Sequence, residues 1–173
     1  RQTYTMVSLL LVAAVAWASV AWGQAPADPY AAVPQYRFDQ PRAPLAAIEA
    51  QIRSAKPQEL AAIETKLLAI LGSPATTKDA KDWVCRQLRQ AGSERSIAAL
   101  APLLADKDLE TVARLALESI PGEKVDAALR QSLAGLQGDL KAGVVLTLGD
   151  RRDRKAVPLL APLDRKSTRL NSS

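Results

Sequence analysis

The 173-residue chain has no histidine and a single cysteine, Cys85. A lone thiol excludes a disulfide within the chain, and no group of residues stands at metal-ligand spacing. Without an imidazole, the usual base that activates a cysteine nucleophile is missing, and the neighbours Val84 and Arg86 do not replace it. The reading that fits Cys85 is a small buried apolar residue. Aromatic residues make up only 4% of the chain, with one phenylalanine, while 48% is hydrophobic and mostly Ala, Leu, Val and Ile. Small apolar side chains let helices approach closely, which suits stacked helix pairs better than one large core. No segment shows the period-two alternation of a strand. Carboxylates are scattered, so no acid/base couple can be paired from sequence, and no cofactor is implied.

An excess of charge is also less than it first looks. The 23 basic and 18 acidic residues give a net +5. The last ten residues, Asp164 to Ser173, resemble a translated sequencing adapter and are expected to lie outside the folded unit. Setting aside Arg1, Arg165, Lys166, Arg169 and Asp164 leaves 19 basic against 17 acidic residues, a net +2. That balance does not call for a nucleic-acid partner.

Residues 1–23 include a charge-free apolar run from Met6 to Gly23. The run is short for a membrane span, which needs about 20 apolar residues. Ala21-Trp22-Gly23 places small residues at −3 and −1 before Gln24, the pattern a signal peptidase accepts. The expectation is a cleaved export signal and a secreted or periplasmic product. The residue directly after the cleavage site is Gln24 and not a cysteine, which argues against a lipid anchor, and membrane attachment would come only through an uncleaved signal anchor. Residues 24–44 carry Pro26, Pro29, Pro34, Pro41 and Pro44. Each fixes φ and removes an amide donor, so an extended linker is expected there, with no helix running through it. Tyr36 and Phe38 leave a second reading open, an arm that docks its aromatics on the first helices.

From residue 45 to residue 163 the pattern is helical. Leu45, Ile48 and Ile52 mark one face of a helix ended by Lys56-Pro57. Pro57 suits the first turn of the next, whose apolar stripe is Leu60, Ile63, Leu67, Ile70 and Leu71, with Gly72 as its stop. Thr77 can cap a helix from Lys78 to Ala91 with Val84, Leu88 and Ala91 inward. Beyond Ser93 the chain repeats. Leu100-Ala-Pro-Leu103 returns as Leu160-Ala-Pro-Leu163, and Arg95-Ser-Ile-Ala-Ala-Leu100 matches Lys124-Val-Asp-Ala-Ala-Leu129 at an offset of 29. A second series, led by Asp108-Leu109 and Asp139-Leu140, has an offset of 31. Two helical patterns in a period near 30 are the mark of a helical solenoid. Ser93, Asp108 and Asp139 are expected to cap the helices that follow them, and Pro102 and Pro162 to bend theirs.

Asp153-x-x-Ala156-Val157-Pro158-x-Leu160-x-x-Leu163 resembles the first helix of HEAT repeats, particularly the short bacterial class. Ala105-Asp106-Lys-Asp-Leu109 through Ala113, with Ala116-Leu117-x-x-Ile120, resembles the second helix, and Leu148-Gly149-Asp150 its end. The resemblance spans residues 57–163 and is strongest from Ser93 on. It implies an all-α fold, a right-handed α-α superhelix (a HEAT-like solenoid) truncated at its C-terminus. Second helices would then line an inner concave surface, with Lys81, Glu110, Arg114 and Lys141 as its polar partner-binding candidates. Consensus second helices place small residues where Cys85, Arg114 and Val145 stand. Arg114 therefore reads either as a carboxylate-binding group or as half of an intrahelical pair with Glu110 or Glu118. Trp83 fits packing between helix pairs better than ligand stacking. The run Arg151-Arg152-Asp153-Arg154-Lys155 reads as a solvated turn between repeats.

These features favour a non-enzymatic, exported scaffold for a protein or peptide, since mixed charge suits a polypeptide more than a polyanion. The alternative is the N-terminal helical-repeat region of a longer exported enzyme. Some HEAT-like proteins resemble bilin lyases and some solenoids act on damaged DNA bases; the export signal, the small net charge and the missing histidine argue against both here.

Overall fold

A computed structural model describes residues 28–161, and every regular element among them is helical. The first is a short helix, α1 (Pro29–Ala32), in the stretch expected to be an extended linker. The Asp28 carboxylate accepts from the Tyr30 amide at 3.1 Å, and Pro29 takes the first-turn position, where its missing amide costs nothing. A 3-10 turn from Val33 to Gln35 follows, and Tyr30, Val33 and Tyr36 are all buried. For residues 28–36 the linker expectation is therefore corrected. The prolines stop a long helix but not a single turn, and the aromatic side chains between them are large enough to hold that turn on the core. Phe38 remains 62% exposed, so of the two aromatics left open by the sequence only Tyr36 docks.

The arm is tied down by hydrogen bonds, one of them between main-chain groups. The Thr77 amide donates to the Pro34 carbonyl at 2.9 Å, Gln35 Nε2 to the Ala75 carbonyl at 3.2 Å, and the Phe38 amide to Asp79 Oδ2 at 3.0 Å. Helix α2 (Ala43–Ser54) buries Leu45, Ile48 and Ile52. Helix α3 (Pro57–Gly72) begins at its proline, with Glu59 Oε2 accepting from the Lys56 amide at 2.7 Å. Helix α4 (Lys78–Ala91) is capped by Thr77 Oγ1, which accepts from the Ala80 amide at 3.2 Å. Its inward stripe is Ala80, Trp83, Val84, Cys85, Leu88 and Ala91. Each fully buried Leu or Val contributes about 1.5–3 kcal/mol by leaving water.

Ser93 starts the next segment as expected, its hydroxyl accepting from the Arg95 amide. The expected helix to Ala105 is a composite: a 3-10 turn (Glu94–Ser96), α5 (Ile97–Leu100), then a 3-10 stretch (Ala101–Ala105). Pro102 has no amide to continue the α-helical ladder, so the chain tightens where it stands. Helices α6 (Glu110–Ser119), α7 (Glu123–Ser132) and α8 (Gly138–Asp150) complete the main set, and a 3-10 turn (Arg154–Ala156) leads into helical residues 157–161.

Two capping expectations are corrected. Asp108 does not cap α6; its own amide donates to the Asp106 carboxylate at 2.9 Å, and its carboxylate meets Lys78 Nζ at 2.6 Å. Asp139 lies inside the first turn of α8, whose N-cap Gln137 makes no side-chain cap bond. Asp108 stands one residue before the α6 N-cap Leu109, and Asp139 two residues after the α8 N-cap Gln137.

Packing joins α3 to α4, α5 to α6 and α7 to α8 as pairs. Between pairs, α4 lies against α6 and α6 against α8, while α3–α5 and α5–α7 also touch. The turn between α6 and α7 depends on Gly122 at φ +112°, a conformation that an L side chain rarely adopts. No helix among the described residues is long and apolar enough to cross a membrane. The apolar run of residues 6–23, Pro162 and the tail at 164–173 lie outside the described residues.

Candidate functional site

The four partner-binding candidates fall on three adjacent helices. Lys81 is half-buried on α4, Glu110 and Arg114 are on α6, and Lys141 is half-buried on α8. Only Glu110 and Arg114 are brought together. Glu110 is buried, and its Oε1 accepts from Arg114 Nε at 2.7 Å while Oε2 accepts from Thr111 Oγ1 at 2.9 Å. Arg114, with 17% of its side chain exposed, also donates through Nη1 to Thr147 Oγ1 at 3.0 Å on α8. The guanidinium therefore joins two helices and is not a free anion-binding group, as the intrahelical reading anticipated.

Gly143 shows why this pair fits. A Cβ there would stand 2.6 Å from Glu110 Oε1 and 2.9 Å from Arg114 Nε. The α8 backbone rests directly on the ion pair, and a bare glycine is what allows it to do so.

On the far side of the pair, the N-terminal ends of α6 and α8 separate around an open cleft of about 870 Å³. Its walls are Ala105, Lys107, Glu110 and Thr111 on one side and Gly135, Leu136, Gln137, Gly138, Asp139 and Leu140 on the other. Among the four candidates, Glu110 alone lines it. Lys107, Glu110 and Asp139 give it charges of both signs, and the loop at 135–138 exposes main chain beside them. Lys141 follows this wall directly in sequence. Lys81 shares no hydrogen bond or ion pair with the other three among the described residues. A smaller cavity of about 340 Å³ lies between Tyr30, Gln51, Glu59 and Lys66, where Lys66 Nζ sits 4.4 Å from the Tyr30 ring centre.

No family model, curated protein or solved structure matches the chain.

Sequence reasoning missed two polar centres. Glu64 lies on the apolar stripe of α3 and is only 1% exposed. It accepts from the Ser93 amide and hydroxyl at 2.8 Å, Ser96 Oγ at 2.6 Å and Arg95 Nη2 at 2.6 Å. Burial pushes its carboxyl up, but the bonds from Ser96, Arg95 and Ser93 outweigh burial and lower the pKa below the ordinary carboxylate range. The signal was available: a glutamate directly after Ile63 on a buried stripe needs a partner.

The second centre lies in the basic run at 151–155, where Arg152, Arg154 and Lys155 are exposed as a solvated turn requires but Arg151 and Asp153 form a clasp. Arg151 Nη1 donates to the carbonyls of Glu118 and Ile120, both at 2.8 Å, Nη2 to that of Gly122 at 3.1 Å, and Nε to Asp126. Asp153 accepts from Arg130, which also pairs with Glu123 at 2.7 Å. A Schellman turn aims these groups: the Asp153 amide reaches the Leu148 carbonyl at 3.0 Å and the Arg152 amide that of Gly149 at 2.9 Å, with Arg152 at φ +57°. Alternating charge made the whole run look solvent-facing; the turn folds Arg151 and Asp153 back onto α6 and α7 and leaves the other three in solvent.

Trp83 and Cys85 take the structural roles expected of them. Trp83 is 3% exposed and donates from Nε1 to Glu49 Oε1 at 3.0 Å. Burial pushes the Cys85 thiol up to about 12, Asp82 adding to the rise and Arg86 opposing it, so it is protonated at neutral pH.

Proposed function

We propose that this chain is a non-enzymatic scaffold, exported to the periplasm or the extracellular space, that binds an extended segment of a protein or peptide. Its helix pairs are read as a right-handed, HEAT-like α-α superhelix in which α4, α6 and α8 form the binding layer. The observation that carries the reading is the open cleft of about 870 Å³ between the N-terminal ends of α6 and α8. It offers side chains of both signs, Lys107, Glu110 and Asp139, with main-chain groups of residues 135–138 alongside. A polypeptide matches that mixture through its own amides, carbonyls and alternating charges, whereas a polyanion would meet Glu110 and Asp139. The repeat pattern from Ser93 onward supports the same reading, because stacked repeats present extended surfaces.

The test is selection from a random-peptide library on the purified chain, followed by titration of the selected peptides. Thr111→Trp, which fills the cleft from an exposed position, is expected to weaken them by tenfold or more, about 1.4 kcal/mol. Absence of any selected peptide, or equal affinity for Thr111→Trp, refutes the reading.

A further inference from the structure

Helices α6 and α8 run alongside each other, but their two ends are joined very differently. At the C-terminal end, one guanidinium, that of Arg151, spans the Glu118, Ile120 and Gly122 carbonyls and the Asp126 carboxylate, with only 11% of its side chain exposed. One turn further in, Arg114 donates to Thr147. At the N-terminal end, no hydrogen bond or ion pair joins residues 105–111 to residues 135–141 among the described residues, and the cleft opens there. Between the two ends stands Gly143, whose missing side chain lets α8 settle on the Glu110–Arg114 pair.

We propose that α8 is a lever, hinged at Arg151, that widens and narrows the cleft and is stopped at its narrowest, the position seen in this structure, by contact of Gly143 with the Glu110–Arg114 pair. This concerns motion of the fold and stands whether or not the cleft binds a peptide. The lever is long enough to matter. From residue 151 to residue 139 a helix rising 1.5 Å per residue spans about 18 Å. A rotation of about 10° at Arg151 therefore moves the cleft end by about 3 Å and the hinge end by less than about 1 Å. The restraints fit this division: the hinge holds a buried charge on several acceptors, whose separation is costly, while the cleft end has no polar bond to break.

Spin-label distance measurements test the proposal on the full chain. Cys85 is buried and its thiol is protonated, so introduced surface cysteines take the label in the folded protein. One double variant, Thr111→Cys with Asp139→Cys, reports the cleft end; another, Ser119→Cys with Asp150→Cys, reports the hinge end. All four positions are exposed. The cleft pair is expected to give a distance distribution about twofold broader than the hinge pair. Adding Gly143→Ala props the lever off its stop and should lengthen the mean cleft-end distance while leaving the hinge-end distance in place. Adding Arg151→Gln should broaden the hinge pair toward the cleft pair; if that variant does not fold, Asp126→Asn, which removes only the hinge's carboxylate charge, takes its place. Equal widths at the two ends, or a broader hinge pair, overturn the proposal. So does a cleft distance unmoved by Gly143→Ala, or a hinge pair unmoved by loss of its clasp.

Discussion

From Pro29 to Ala91 the helices are held by large apolar side chains: Tyr30, Val33 and Tyr36 on the arm, Leu67 and Leu71 on α3, Trp83 and Leu88 on α4. From Glu110 to Ala156 a larger share of the joining falls to guanidinium groups, with Arg114 on Thr147, Arg130 on Asp153, and Arg151 on Asp126 and three carbonyls. Apolar contact is non-directional and grows with area, so it fastens a helix along its whole length. A guanidinium fastens at one point and in one geometry. Between α6 and α8 the polar bonds are accordingly confined to the Arg114 and Arg151 end, and the cleft end is held by apolar packing of Leu136 and Leu140.

The comparison is broken most strongly at Trp83. Trp83→Ala leaves a cavity between α2 and α4 and leaves Glu49 with Arg42 as its remaining partner, and is expected to destabilise by about 3–5 kcal/mol in urea titration. A loss below about 1 kcal/mol would mean that the arm and α2 do not depend on this indole.

Arg151→Ala is the corresponding change in the other half. It strands three carbonyls and Asp126, and a loss of about 2–3 kcal/mol is expected. Hydrogen exchange sharpens the point: protection should fall in α7 and α8 while α3 and α4 keep theirs. Uniform loss across all helices would erase the distinction between the halves.

Between the halves stands Glu64, which ties α3 to the start of the Ser93 segment. Its pKa is lowered in the folded chain, so its contribution is present in full above the unfolded value of about 4.3 and is lost as pH falls through the lower folded value. Glu64→Gln is expected to cost about 1–2 kcal/mol at pH 7 and to flatten the fall in urea midpoint below pH 4–5. An unchanged acid limb in the variant would remove Glu64 from the account.

The smallest effect concerns the turn that aims the clasp. Arg152 holds a left-handed conformation that costs an L residue about 1–2 kcal/mol. Arg152→Gly relieves it but frees the unfolded chain, for a net gain of up to about 1 kcal/mol in thermal unfolding. A loss of stability would show that the Arg152 side chain makes a contribution beyond its backbone.

Much of the helical fold was legible because local rules decide it. Pro57 and Gly72 bound α3, Thr77 caps α4, and the stripes of Ile63, Leu67, Val84 and Leu88 face inward as their spacing requires. The arm was misjudged because proline's effect on the backbone is local, whereas burial of Tyr30 and Tyr36 depends on a surface made by α2 and α4. The candidate site was legible only in part. Glu110 lines the cleft, but its pairing with Arg114 could be read only as one of two options. The clasp at Arg151 was invisible, since its acceptors are main-chain carbonyls some thirty residues earlier.

By itself, then, the sequence determined what depends on neighbours along the chain: an all-helical course, where most helices begin and end, and the apolar stripe each presents. Tertiary structure alone decided what depends on distance between elements. It turned part of a basic run into a clasp, set Gly143 of α8 against an ion pair, and left a cleft between the N-terminal ends of two helices. Hydrophobic periodicity specifies which face of a helix is buried, but not how closely two helices lie at each end, because that spacing is set by side chains and carbonyls that meet only after the chain has folded.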